Sequence, residues 1–134
     1  MFVTMLATMT FAIHPMQRRW TPALGARLSA SYHRCMSSGG AAQGVHPAMM
    51  RCEGAEFVRQ DARLNAVYRA VRVTLRGSER TALRDAQRRW IAARDAGCQA
   101  EYDAGGGGQI SELNQSGCRL RETIARTMEL EHMR

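Results

Sequence analysis

The stretch Leu83–Cys98, which reads LRDAQRRWIAARDAGC, constrains the fold more than any other part of the chain. Its apolar residues recur at spacings of seven or eight around Trp90, which is one face of an α-helix. Good helix formers fill the other positions, and no glycine or proline interrupts before Gly97. Gln87 and Arg94 lie on the same face, and buried polar groups need partners. The sequence therefore predicts an amphipathic helix that packs against another helix with polar side chains.

A second amphipathic helix is predicted upstream, within residues 51–76, from apolar residues spaced three or four apart. Gly77 suits the end of this helix, and Ser78 suits the N-cap of the next one. So short a connection requires an antiparallel hairpin. In an antiparallel hairpin, the residue numbers of two facing positions add up to a constant. The turn at Gly77 and Ser78 determines that constant here.

This register places polar residues of the two helices opposite each other. Asp61 faces Arg94, Asn65 faces Trp90, and Tyr68 faces Gln87, to within about one turn. We expect Asp61 and Arg94 to form a buried, hydrogen-bonded ion pair. The predicted structural core of the hairpin comprises Asp61, Leu64, Asn65, Tyr68, Gln87, Trp90 and Arg94.

A third helix is predicted over residues 111–132, after four consecutive glycines at 105–108. The glycine run lacks the lysine and hydroxyl residue of a phosphate-binding loop, so it is interpreted as a flexible turn. The predicted fold is all-α: a three-helix antiparallel bundle-like domain with two disulfides, preceded by a disulfide-stapled loop.

Length and charge indicate one domain with a distinct N-terminal segment. Residues 1–34 hold four arginines and no acid, whereas residues 35–134 hold fifteen arginines against twelve acids. We interpret residues 1–34 as a signal peptide or a disordered tail, with small residues for cleavage at 26–30, and residues 35–134 as the helical domain. The apolar run at 1–13 is too short to span a membrane and lacks a basic start, so translation from Met16 is an alternative.

The polar and apolar positions of the hairpin resemble a known family pattern. The succession Asp61-x-x-Leu64-Asn65-x-x-Tyr68 and the stretch Leu83–Cys98 resemble the LprI-type lysozyme-inhibitor-like family of small bacterial cell-envelope domains. The resemblance extends to Cys52, the glycine run, Cys118 and Thr123, and covers residues 35 to 130. It implies an exported protein, periplasmic or secreted, with lysozyme inhibition as an activity.

Four cysteines in an exported small domain predict two bridges, with three possible connectivities. Across the glycine turn, Cys98 and Cys118 lie within about one turn of facing positions. Cys52 would be displaced from Cys98 by about 7 Å along the hairpin. We therefore expect Cys98 to pair with Cys118, and Cys52 with Cys35.

The sequence favours a binding function over catalysis. The cysteine and histidine spacings match no zinc site, no catalytic arrangement is visible, and we expect no metal, cofactor or transmembrane span. The expected partner is a protein, with lysozyme as the candidate, or a cell-envelope component, and nucleic acid is not expected as a partner. An envelope interaction module that binds another protein or a glycan is the alternative, and an arginine-rich nucleic-acid binder is a third. For a basic lysozyme, the candidate contact is the group Glu101, Asp103 and Glu112 around the glycine loop.

Overall fold

The computed structural model describes residues 18–134, which form six helices and no strand. Three are short: α1 (Pro22–Gly25), α2 (Ala30–Met36) and α3 (Gly39–Ala42). Three are long: α4 (His46–Thr74), α5 (Gly77–Ala104) and α6 (Gln109–Glu131). The three predicted helices are therefore present, and the region expected as a stapled loop contains short helices. No helix in this part of the chain is long and apolar enough to cross a membrane.

The central element is α6, not the stretch Leu83–Cys98 of α5. Ten residues of α6 are buried, compared with three of α5. Both α4 and α5 pack closely along α6, whereas α4 and α5 make few close backbone approaches to each other. The short α4–α5 turn joins two helices that lie side by side on a third.

Buried apolar side chains of the described residues form three clusters, two of which include residues of α6. The cluster nearest the α4–α5 turn contains Leu64, Val67, Val71, Leu83 and Leu130, with Trp90 packed against it. A second cluster joins Leu24 of α1 to Leu120, Ile124 and Ala125 of α6, and a third joins Ala41 and Ala48 to Cys52.

The described part of the N-terminal segment belongs to the folded unit. Leu24 is buried against α6, and Arg27 lies 2.9 Å from a carboxylate oxygen of Glu131. The backbone N–H and hydroxyl of Ser29 both donate to the buried carboxylate of Glu56, at 3.0 and 2.6 Å. Residues 18–34 are thus not a disordered tail, because their side chains pack on apolar residues of α6 and bind carboxylates of α4 and α6. The apolar run at 1–13 and Met16 lie outside the described residues.

The structure contains both expected bridges. Cys35 of α2 is bonded to Cys52 of α4, with a Cα–Cα distance of 5.7 Å. Cys98 near the end of α5 is bonded to Cys118 of α6, with a Cα–Cα distance of 5.5 Å. The first bridge fixes α2 to α4, and the second closes the base of the glycine loop.

The expected Asp61–Arg94 ion pair is wrong. Arg94 lies 3.1 Å from Asp95 and donates to the Thr123 hydroxyl of α6, while the Asp61 carboxylate accepts a bond from Asn65. The reason is the spacing of the helices: because α6 supports both α4 and α5, their facing side chains border a groove and do not meet.

Candidate partner-binding site

The loop between α5 and α6 is exposed but held at its base. Gly106, Gly107 and Gly108 all have φ between 79° and 90°, a region that glycine adopts without strain. The N–H of Gly107 donates to the hydroxyl of Ser111, which is fully buried. The Cys98–Cys118 bridge joins the two helices that carry the loop. Its tip therefore projects from a covalently fixed base.

Glu101, Asp103 and Glu112 lie at this end of the bundle, but they differ in their partners. Glu101 lies 2.7 Å from Arg121, and Glu112 lies 3.0 Å from His46. Asp103 is exposed and accepts a bond from Gln99, with no cation as its partner among the described residues. Asp103 is the carboxylate most available to a partner, since Glu101 and Glu112 also tie the helices together.

A buried acid lies behind Glu101 on α6. The Arg121 guanidinium, whose side chain is nearly buried, lies 3.9 Å from Glu122 as well as beside Glu101. Burial raises the pKa of Glu122, although the ion pair with Arg18 opposes that shift. Arg121 therefore serves both carboxylates, and removing Glu101 would disturb the interior as well as the surface.

Charge is segregated between the two ends of the bundle. Residues 98–118 contain three acids and no arginine, a net charge of −3. Residues 69–89, around the α4–α5 turn, contain seven arginines and two acids, a net charge of +5. The charge of the domain is therefore unevenly distributed along the bundle. Arginines at positions 72, 76, 80, 84 and 88 recur every four residues, and this spacing was the signal for the basic end.

The residues expected as the hairpin core instead line a groove between α4 and α5. The groove has a volume of about 250 Å³, and its walls include Asp61, Leu64, Asn65, Tyr68, Gln87, Trp90 and Arg94. Leu64 and Gln87 are buried, but Asn65 is exposed and the other four are half-buried. The predicted register therefore brings these residues onto one surface. The prediction that Asn65 lies in the core is wrong, because Asn65 is exposed.

Polar and aromatic contacts hold the floor of this groove. The Arg94 guanidinium lies 5.0 Å from the centre of the Trp90 ring, and Arg126 donates to the Gln87 side-chain oxygen at 2.9 Å. Within residues 18–134, no group of three His, Cys, Asp or Glu side chains is arranged to hold a metal ion. The groove offers hydrogen bonding, ion pairing and aromatic stacking, and the glycine-loop end offers hydrogen bonding and ion pairing.

Comparisons with known proteins agree with the sequence resemblance. The model of the family described as lysozyme inhibitor LprI matches residues 35–130. An uncharacterized protein, R02472, from Rhizobium meliloti (strain 1021) is 30% identical over 95 residues, covering 61% of this chain and 68% of that protein. No solved structure matches the chain. The family match spans both bridges, the groove and the glycine loop. The chain therefore belongs to the lysozyme inhibitor LprI family.

Proposed function

We propose that this protein is an exported lysozyme inhibitor that binds its target through the acid-bearing end around the glycine loop. The family description supports inhibition of a lysozyme. The two bridges support a periplasmic or secreted location, because disulfides persist in oxidising compartments. The observation that carries the proposal is the charge segregation, with three acids and no arginine in residues 98–118.

The net charge of +7 is compatible with a basic target because the charges lie at opposite ends. Helix α5 has 28 residues and connects the basic end to the glycine loop. At about 1.5 Å per residue, the two ends are about 40 Å apart. The Debye length at physiological salt is about 8 Å, so repulsion from the basic end is strongly screened at the loop.

The exposed loop also supplies a suitable shape. Every residue from Asp103 to Ile110 is exposed, and the Cys98–Cys118 bridge restricts the motion of the base. A fixed base lowers the ordering cost of binding, and the glycines allow close approach of the backbone to a cleft. Asp103 would make the leading ionic contact, with Glu112 beside it on α6.

The test is the turnover of a basic lysozyme on peptidoglycan in the presence of excess protein, at low and physiological salt. The test variant is Asp103→Asn/Glu112→Gln, which leaves Glu101 in place as the partner of Arg121. We expect about a tenfold loss of inhibition, since each exposed ionic contact contributes up to about 1 kcal/mol. Inhibition by the parent should weaken as salt rises.

The matched control is Glu79→Gln/Asp85→Asn, which removes the same charge near the α4–α5 turn. This control should inhibit as well as the parent. Equal loss in both variants would show a general charge effect and would contradict a contact at the glycine loop. Absence of inhibition by the parent at either salt would refute the proposed activity.

A second candidate is an envelope interaction module that binds a glycan or another protein in the α4–α5 groove. The half-buried Trp90 and Tyr68 rings beside Asn65 and Asp61 favour it, because this combination offers stacking and hydrogen bonding. An Ile91→Asp variant would place a negative charge on an apolar part of the groove wall, where Ile91 is 42% exposed. Loss of partner binding in this variant, with unchanged lysozyme inhibition, would identify a separate groove ligand.

A further inference from the structure

The α4–α5 turn carries a concentrated basic surface. We call it the basic tip, and it consists of Val73 with Arg69, Arg72, Arg76, Arg80, Arg84, Arg88 and Arg89. All eight residues are exposed. Residues 69–89 contain seven arginines and two acids, a net charge of +5, whereas the whole chain has a net charge of +7. The basic tip therefore carries most of the net positive charge of the protein.

Within the described part of the chain, most arginines of the basic tip have no ion-pair partner, whereas several arginines elsewhere are bound to carboxylates. Arg84 lies 3.3 Å from Asp85, and the other six have no carboxylate partner among residues 18–134. Residues 1–17 contain no Asp or Glu and cannot supply one. By contrast, Arg18, Arg27 and Arg121 are each paired with a glutamate. The basic tip therefore presents guanidinium groups to an external anion.

An apolar side chain lies among these cations. Val73 is 74% exposed and borders a cleft of about 300 Å³ with Arg69, Arg72 and Arg80. The aliphatic stems of arginines can cover apolar surface while their charged ends reach outward. A partner of the basic tip therefore meets an apolar centre surrounded by positive charge.

We propose that the basic tip docks onto the surface of an anionic lipid bilayer. Phosphate headgroups provide an extended layer of negative charge that several arginines can contact together, and Val73 can enter the headgroup region. The sequence from Arg69 to Arg89 contains no aromatic residue, and the flanking Tyr68 and Trp90 are half-buried in the α4–α5 groove. Proteins that bind single-stranded nucleic acids, by contrast, stack successive bases on aromatic rings along the binding surface. Charge and composition therefore favour a lipid surface over a nucleic acid.

The docked orientation follows from the length of α5. With the basic tip at the bilayer, the glycine loop lies about 40 Å along the helix axis from it. The acids at that loop would not face the anionic lipids. This docking does not depend on lysozyme inhibition, because the two surfaces share no residue.

The test is co-sedimentation of the whole protein with vesicles at about 0.15 M salt. One vesicle set is pure phosphatidylcholine, and the other contains phosphatidylglycerol as well. The parent should bind only the second set. The variant Arg69→Gln/Arg72→Gln/Arg80→Gln should bind about a hundredfold more weakly, from about fivefold per arginine near an anionic surface. Val73→Thr, which keeps the shape and charge, should weaken binding about fourfold.

The matched control is Arg34→Gln/Arg51→Gln/Arg119→Gln, which removes three exposed arginines outside the basic tip. This variant should retain vesicle binding to within about fivefold. Equal losses in the two triple variants, or no binding of the parent to anionic vesicles, would overturn the proposal. Tighter binding to a single-stranded oligonucleotide than to vesicles, lost in the basic-tip variant, would also overturn it in favour of nucleic acid. Thermal melting of each variant establishes that its fold is intact.

Discussion

Replacing Glu56 by glutamine should strongly destabilise the protein at neutral pH. Glu56 is fully buried, and each of its carboxylate oxygens accepts two hydrogen bonds. One oxygen accepts from the Ser29 N–H at 3.0 Å and from the Gln60 amide at 2.7 Å. The other accepts from the Ser29 hydroxyl at 2.6 Å and from the Arg59 Nε–H at 2.8 Å. This carboxylate therefore connects the start of α2 to α4.

A glutamine at this position has only one oxygen, so its NH₂ group must face two former donors. If this NH₂ group takes the place of the first oxygen, it meets the Ser29 N–H, a backbone donor that cannot turn. If it takes the place of the second oxygen, it meets the Nε–H of Arg59. Hydrogen bonds to charged groups contribute about 1.5–3 kcal/mol each. Because Arg59 is partly exposed and can reach water, we expect a net loss of about 3 kcal/mol in the free energy of unfolding.

The predicted loss depends on pH, with a sign fixed by the pKa of Glu56. Burial alone would raise this pKa, but the hydrogen bonds from Ser29, Gln60 and Arg59 lower it below the ordinary value of 4.5. The carboxylate's contribution to stability is therefore present above that value and is lost as the pH falls through the lowered pKa. Burial raises the pKa of Glu53 and Glu122, but these groups are common to parent and variant and cancel in the difference.

Urea denaturation of parent and Glu56→Gln at about pH 7 and about pH 3 measures the difference. The difference in the free energy of unfolding between parent and variant should be about 3 kcal/mol at the higher pH and smaller at the lower pH. Glu79→Gln, at an exposed position, is the control and should unfold like the parent to within about 0.5 kcal/mol. A gap below about 1 kcal/mol near neutrality, or one that does not narrow in acid, would refute the reasoning.

Urea denaturation also checks three further predictions. Arg94→Met should lower the free energy of unfolding by about 1–2 kcal/mol, because the stacking of Arg94 on Trp90 is lost. Adding Asp61→Leu should recover none of this loss, since Asp61 and Arg94 are not paired. Recovery in the double variant would restore the ion-pair model. Leu24→Ala should cost about 3 kcal/mol, and parent-like stability would mean that α1 does not belong to the folded unit. Gly105→Ala should also destabilise, because the added Cβ collides with the Ser111 side chain; an unchanged midpoint would show that the loop relaxes freely.

The long helices and the bridges were predictable because they depend on local spacing. Apolar residues three or four apart define each helix, and the Gly77 and glycine-loop turns are short enough to fix antiparallel neighbours. The register across the glycine loop places Cys98 near Cys118. The register across the Gly77 turn places Asp61 and Arg94 on the walls of one groove. The register does not give the distance between helices, so the ion pair across the hairpin was wrong.

The position of α6 could not be predicted from apolar periodicity. Its buried face includes Arg121, Glu122, Thr123 and Thr127, whose polar side chains look like surface residues in a sequence. Ile110, which fits the apolar pattern, is 67% exposed. The burial of Arg121 and Glu122 depends on ion pairs with Glu101 and Arg18, residues distant in sequence, and no local pattern announces such partners.

Both disulfides enclose exposed backbone, and this has a consequence for survival after proteolysis. The bridge Cys98–Cys118 spans the glycine loop, and the bridge Cys35–Cys52 spans α3 with its flanking turns. A single cut inside either span leaves the two fragments joined covalently and their long helices still packed. A protease that cuts either region therefore releases no fragment. Such damage would be visible as two pieces only after reduction of the bridge.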